Sequence, residues 1–409
     1  MISNYTPPGV YIEEQPRSNL IAGVSTGIAA FVGPMVTGPV NEARRLTNFD
    51  EFLACYATAQ LDGTTSLSMP GGQPLYLAHA VRGFFSNGGK AAYVVRIGAV
   101  PEQQGTPTPL TRGDYEMGIN AIGRIDEVNL LCIPDAAVHP ERVAIQQAMI
   151  KHCQDLQDRF AILDPPPIGQ SSIEQHRRIV QDYPRAVQSD KGFAALYYPW
   201  LEVRDPSSTG PISGRILVPP CGHIAGVYAR NDAERGVHHA PANLSIHGAV
   251  GLEDRLLDAQ MGAFNQAGIN VLCVFPGSAQ VVVWGARTTV DPSETEWRYV
   301  NVRRVLLYIE ESIAEGIQWA AFEPNNEALW QRLKRSIQEF LTRIWRSGAL
   351  VGATAEQAFY VRIDEALNPS SIWSLGKLII EIGLAPIRPA EFIIVRLNLS
   401  DGGAAITEF

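Results

Sequence analysis

The sequence predicts an α/β chain: a three-layer domain on a largely parallel sheet, then a helix-rich section, with strand-forming sequence at each end. Short apolar runs alternate with helical segments from about residue 90. Two long amphipathic segments follow residue 284, and each terminus carries β-forming residues with no hairpin partner beside it in sequence. Strands separated by helices of this length indicate βαβ units.

Taken in order, Ala91–Ile97 reads as a short apolar strand, and Asn129–Ile133 as another, ended by Pro134. From Glu141 to Arg159 the spacing of Val143, Ile145, Ala148, Met149, Cys153 and Leu156 is helical. Phe160–Leu163 is a buried strand before the stop Asp164-Pro165-Pro166-Pro167. Glu174 to about Asp182 predicts a helix ended by Pro184, and Phe193–Tyr198 a further strand. After Val281–Trp284, Ser293 lies three residues before Glu296, a capping-box spacing that predicts the start of a long helix. Trp297, Val300, Val305, Ile309, Ile313 and Ile317 form its apolar side, and Pro324 breaks it. Asn325 or Asn326 caps a second long helix running to about Ser347, with Gly348 as its C′ residue. Finally Ile393, Val395, Leu397 and Leu399 alternate within Glu391–Leu399, a strand with one strongly apolar face.

The N-terminal stretch has no packed neighbour in sequence. Pro7, Pro8 and Pro16 bracket Val10-Tyr11-Ile12, followed by Glu13 and Glu14. Such an arm stays in solvent or adds to another chain's sheet.

Composition narrows the function. Hydrophobic residues make up 46% and charged residues 18% of 409, which suits two or three well-filled domains. A net charge of −9 argues against a general nucleic-acid binder. No secretory signal is visible at the N-terminus, and no run of about twenty apolar residues could span a bilayer. Cys55, Cys132, Cys153, Cys221 and Cys273 are far apart, with no CxxC pair or zinc spacing. They are expected to be small buried apolar residues in a protein made in a reducing cytoplasm.

Several blocks together resemble the contractile tail sheath proteins of phage tails and related injection systems. They are Pro8-Gly9-Val10-Tyr11-Ile12-Glu13-Glu14; Gly23 to Gly33, then Gly38-Pro39 and Leu46 to Phe52; Pro219 to Val237 and Ala240 to Asn243; Val283 to Thr288; Trp297 to Arg304; Phe322-Glu323-Pro324-Asn325; and Ala385 to Phe392. They keep the family's order over nearly the whole chain. The resemblance implies an N-terminal arm at 1–20, an outer subtilisin-like α/β domain at 21–285, an inner α+β C-terminal domain facing a tube at 286–390, and a C-terminal strand and arm at 391–409. It implies no cofactor, and partners of three kinds: other copies in hexameric rings stacked into a helical sheath, an inner tube, and baseplate and terminator or cap proteins. Neither direct nucleic-acid binding nor membrane insertion is implied. Gln60–Gln73 and Leu367–Gly376 resemble the family least, as in a paralogue with a specialised place such as a baseplate-proximal ring. The length suggests that large surface insertions are absent.

Two sets of site residues follow. The family's strand exchange assigns Val10, Tyr11, Ile12, Glu13 and Glu14 of one arm, and Ile393, Ile394, Val395, Arg396 and Leu397 of the other, to the sheet of a third subunit. By themselves these residues fit equally a disordered N-terminus and an ordinary last strand. On the second long helix, Leu329, Leu333, Ile337, Phe340 and Ile344 share one side, while Arg332, Arg335, Arg343 and Arg346, with Glu339 among them, gather on another. A basic stripe on an acidic protein is a candidate contact for an acidic inner tube. The plainer reading is that Arg335–Glu339 and Glu339–Arg343 are i,i+4 pairs that solvate the helix.

Enzyme readings are weak. His247-Gly248 resembles a subtilisin His-Gly step, but no Ser nucleophile segment or GxSxG elbow accompanies it. His238-His239 is the one adjacent histidine pair, HExxH is missing, and His223 and His239 read as loop residues. Asp135 and Asp164 end strands where catalytic acids often lie, yet capping is the simpler role. Asn87-Gly88-Gly89-Lys90 reads as a turn, and no GxxxxGK[ST] loop is present. The expectation is a structural protein. The alternatives are an end-ring paralogue in the same machine, and a soluble α/β hydrolase with incidental arms. Polymerisation or co-assembly with a tube protein separates the sheath from the hydrolase.

Overall fold

The computed structural model describes residues 20–57, 74–98, 110–205 and 214–392. Both predicted terminal strands, at 10–14 and 393–399, lie outside the described residues. The strands are β1 (Ala29–Pro34), β2 (Ala43–Leu46), β3 (Ala92–Ile97), β4 (Leu130–Cys132), β5 (Phe160–Leu163), β6 (Ala194–Tyr198), β7 (Leu201–Arg204), β8 (Arg215–Val218), β9 (Leu244–Ser245), β10 (Ala249–Leu252), β11 (Ile269–Val274), β12 (Val281–Trp284), β13 (Phe359–Arg362) and β14 (Glu381–Leu384). The main helices are α1 (Phe49–Tyr56), α2 (Tyr76–Ser86), α3 (Arg112–Ile122), α4 (Arg142–Leu156), α5 (Ile173–Ala186), α6 (Cys221–Arg235), α7 (Asp258–Gln266), α8 (Val300–Gly316) and α9 (Glu327–Arg346).

The fold is mixed α/β on a nine-stranded sheet of order β2-β3-β1-β4-β5-β6-β11-β12-β9. Strands β3 through β11 in that order are parallel, and antiparallel β2, β12 and β9 close its edges. Residues of β1, β3, β4, β5 and β6 are buried throughout, as a sheet covered on both faces requires. A three-stranded antiparallel sheet, β10-β7-β8, lies apart. A second apolar cluster is built from α8, α9 and β13, with Ile337 and Leu341 fully buried and Leu350 and Ile363 beside them. Strands β13 and β14 form a two-stranded sheet of their own.

Several expectations need correction. The parallel sheet begins at β1, well before residue 90, and β1 is an interior strand. The helix expected at Ser293 starts at Val300, because Ser293 is used locally: its N–H and Oγ both donate to Asp291 Oδ1, at 2.9 and 2.6 Å. Trp297 therefore lies outside the helix, and α8 ends at Gly316, before Pro324. Pro184 does not stop α5; it sits in the last turn, two residues before the end, where few ladder bonds remain to be lost. His223 is a buried residue of α6 instead of a loop residue. Cys55 is partly exposed while the other four cysteines are buried, and all five are free thiols.

Helix α9 follows the expected chemistry. Asn326 Oδ1 accepts from Leu329 N at 3.0 Å, and Gly348 has φ +85° just past the end. Asp135 and Asp164 cap helices, though neither caps the one nearest in sequence. Asp164 Oδ1 accepts from Cys221 N at the start of α6, at 2.9 Å. Asp135 accepts from the backbone of Leu77 at the start of α2. Burial pushes both carboxyls up to about 7, against the pull of these backbone bonds.

Helices α2 and α6 touch backbone to backbone. A Cβ on Gly222 would lie 2.3 Å from Ala80 O and 2.4 Å from its Cα. Gly222→Ala should therefore force the helices apart and cost about 1–3 kcal/mol, readable as a lower urea midpoint at unchanged m-value. An unchanged midpoint would show that the contact is not tight.

Candidate assembly interface

Residues 20–26 and 385–391, near the two ends of the described chain, are both held against α8. On the N-terminal side, Leu20 is 59% exposed, but Ile21 is fully buried in the second cluster. Val24 N donates to Ser312 Oγ of α8 at 3.1 Å, and Thr26 Oγ1 to Asp232 Oδ2 at 2.7 Å. Gly23 lies so close to Tyr308 that a Cβ there would fall 2.0 Å from its hydroxyl. The strap from residue 20 to β1 is thus fixed along α8 before it enters the sheet.

Beneath the strap, Arg304 of α8 pairs with Asp232 of α6: Nη1 to Oδ1 is 3.0 Å and Nη2 to Oδ2 is 2.6 Å. Nη2 also donates to Thr26 O at 2.8 Å. Both side chains are nearly buried, 4% and 6% exposed, so the bidentate geometry offsets the desolvation of two charges. Arg303 lies between the rings of Phe193 and Trp297, at 4.0 and 4.4 Å to the centroids. Asn301 Nδ2 donates to His238 O and Ile387 O, joining the loop after α6 to the chain that follows β14.

On the C-terminal side, Glu391 is held by four donors. Arg287 Nε and Asn265 Nδ2 reach Oε1 at 2.8 and 2.7 Å, and Arg287 Nη2 and Tyr299 OH reach Oε2 at 2.7 and 3.0 Å. Burial alone would raise its pKa, but the bonds from Arg287, Asn265 and Tyr299 hold it below the ordinary value. The next residue, Phe392, is 74% exposed. The segments 283–288, 297–304 and 385–392, far apart in sequence, form one joint. The sequence offered no signal for these particular pairs, since they link Arg287 to Glu391 and Asp232 to Arg304.

The expected tube-contact residues fall on one side of α9 and all are exposed. They divide in two. Arg332 pairs with Glu323 at 2.9 Å and lies over Trp319, and Arg343 Nη2 donates to Ile21 O at the start of the strap. Arg335, Glu339 and Arg346 make no ion pair among the described residues, so the expected Arg335–Glu339 and Glu339–Arg343 pairs do not form there. The strand-exchange residues 10–14 and 393–397 lie outside the described residues.

Among the described residues, no group of three or more His, Cys, Asp or Glu could hold a metal ion, and no helix is long and apolar enough to cross a membrane. His238 and His239 stack on each other at 4.3 Å, and His247 lies against Arg230. Asn87 serves as a connector: its side chain bonds Gly83 O and both the N and O of His247.

The family is shown by sequence. The model describing the phage tail sheath protein central domain matches residues 109–289, and that describing the phage tail sheath C-terminal domain matches 293–400. This chain belongs to the phage tail sheath family. It is 29% identical over 203 residues to the tail sheath protein of Burkholderia phage BcepMu, a match covering 48% of this chain and 40% of the relative. The chain spans less than half the length of the curated relatives it matches. Solved structures match along nearly the full chain. One is the sheath complex of an extracellular contractile injection system, PVC, in its contracted state, with 30% identity, TM-score 0.74, and 97% of this chain and 98% of that chain covered. Another is from the anti-feeding prophage baseplate, with 29% identity, TM-score 0.73, and 97% and 99% covered. The domains matched are those of tail sheath proteins, a structural family.

Glu391→Gln removes the charge that Arg287 grips and should cost about 1.5–3 kcal/mol at neutral pH. Because the folded carboxyl titrates below its ordinary 4.5, its contribution is present above that value and fades as pH falls through the folded pKa. Wild type and variant should therefore differ in denaturation midpoint at pH 7 and converge in acid. A gap that persists unchanged into acid would remove the charge from the explanation.

Proposed function

We propose that this chain is the sheath subunit of a contractile tail or injection particle, polymerising as stacked rings around an inner tube. On this reading it contracts from a metastable extended lattice to drive the tube through a target envelope. The observation that carries it is the small sheet β13–β14 beside two clamped arm roots. A two-stranded sheet is marginal by itself. Phe359 and Val361 face the second cluster while Tyr360 and Arg362 face outward, so β13 is an apolar-backed strand suited to an added neighbour. An arm extended from Leu20 back to Val10 reaches at most about 35 Å, enough to leave its own subunit. Strand addition supplies a row of main-chain hydrogen bonds, which resists separation while the root, fixed by Ile21 and Arg304, sets direction.

The exposed Arg335 and Arg346 fit contact with an acidic inner tube. The energy for contraction then comes from two packings of the same subunits, without a nucleotide. A ring confined to the baseplate is the second reading, favoured by the likeness to the anti-feeding prophage baseplate chain.

Negative-stain microscopy of the full chain, alone and with its tube protein, tests the main reading. Hollow polymers or stacked rings are expected, and they should vanish in a variant lacking residues 1–15. Isolated single rings in every sample would select the baseplate reading; compact particles throughout would overturn both. Separately, Arg335→Glu with Arg346→Glu should weaken tube co-sedimentation at least tenfold at low salt while leaving the melting temperature within about 2 °C. Unchanged tube binding would remove α9 from that contact.

A further inference from the structure

The close crossing of α2 and α6 also builds a cavity unrelated to the arms. A Cβ on Gly83 would lie 2.4 Å from His223 Nδ1, and one on Gly226 2.5 Å from Phe84 O, so only glycines admit this approach. It places His79 and Arg82 of α2 beside His223 of α6. The chain at 203–204 and 247–250 encloses about 270 Å³ over them.

The lining includes His79, Arg82, Arg204, His223 and His247, and among the described residues it contains no Asp or Glu. A protein of net charge −9 has thus gathered imidazoles and guanidiniums around one cavity. Arg82 Nη1 donates to Arg204 O at 3.1 Å, and no ion pair with a carboxylate occupies Arg82 among the described residues. Beside the lining, Arg230 Nη1 lies 3.0 Å from His247 Nδ1, adding a third guanidinium. His223 is 4% exposed and its Nδ1 has no hydrogen-bond partner. Native interiors pair such groups with protein, water or ligand. Burial, with His79 and Arg82 adding repulsion, lowers the His223 pKa to about 3, so the ring is neutral and offers a donor at Nδ1 in the matching tautomer.

We propose that this cavity binds a small oxyanion, held by the Arg82 guanidinium with His223 Nδ1 and His247 as further donors. A guanidinium with unused donors fits a tetrahedral or carboxylate oxyanion. The source is either a dissolved phosphate or a carboxylate carried by a neighbouring copy of this chain.

The test is thermal unfolding of the full chain against increasing phosphate and, separately, acetate, with chloride holding ionic strength constant. Arg82→Gln and His223→Leu are run in parallel. Wild type should show a saturable rise in melting temperature that shifts at least tenfold in half-saturation, or disappears, in Arg82→Gln. Saturation by phosphate marks a free-ion site; saturation by acetate alone marks a site for a neighbour's carboxylate. Phosphate also stabilises proteins non-specifically, but that response is linear and equal in all variants. Equal, unsaturated responses in wild type and Arg82→Gln would overturn the proposal, leaving water as the occupant.

Discussion

Two carboxylate–guanidinium pairs, Asp232–Arg304 and Glu391–Arg287, fix the two ends of the described chain to its folded body. Each is largely dry, each is bidentate, and each draws in a further group: the Thr26 backbone and hydroxyl in one, Asn265 and Tyr299 in the other. Burying charge is costly unless every oxygen and donor is matched, so such pairs add little net stability compared with apolar packing. What they add is direction. A methyl cluster tolerates rotation; a carboxylate with four donors does not. The proposed arms therefore begin from fixed points.

This arrangement separates stiffness from reach. The nine-stranded sheet, covered by helices on both faces, forms a body with fully buried strands such as β1 and β6. The second cluster, on α8 and α9, carries the strap, the open two-stranded sheet and the exposed basic face. Arg343 belongs to both the basic face and the strap through its bond to Ile21 O. On the proposed assembly, a contact at α9 and the direction of the N-terminal arm would thus share one side chain.

Much of the α/β layering was legible because it rests on local signals. Apolar runs such as Phe160–Leu163 and caps such as Asn326 and Gly348 specify their elements over a few residues. Less was legible where the decisive partner is distant. Strand β1, Ala29-Ala30-Phe31-Val32-Gly33-Pro34, is short and made largely of small residues, so neither period stands out, and its interior place depends on β3 and β4. Ser293 carried a sound capping signal that Asp291 captured instead. The basic stripe of α9 was visible from helical spacing, whereas the division of its members, with Arg332 and Arg343 engaged and Arg335 and Arg346 outward, depended on Glu323 and Ile21. The joint itself was hidden, since no sequence rule pairs residue 287 with 391.

In the proposed strand exchange, one subunit's arm lies on the β13–β14 sheet of another. Replacing Tyr11 with a photo-crosslinking phenylalanine analogue, irradiating assembled particles and mapping the adducts by mass spectrometry tests it without assuming a register. Covalent ladders of two or more subunits are expected, with adducts on residues 359–362 or 381–384. Adducts confined to single chains, or joined to the nine-stranded sheet instead, would contradict strand addition at β13–β14.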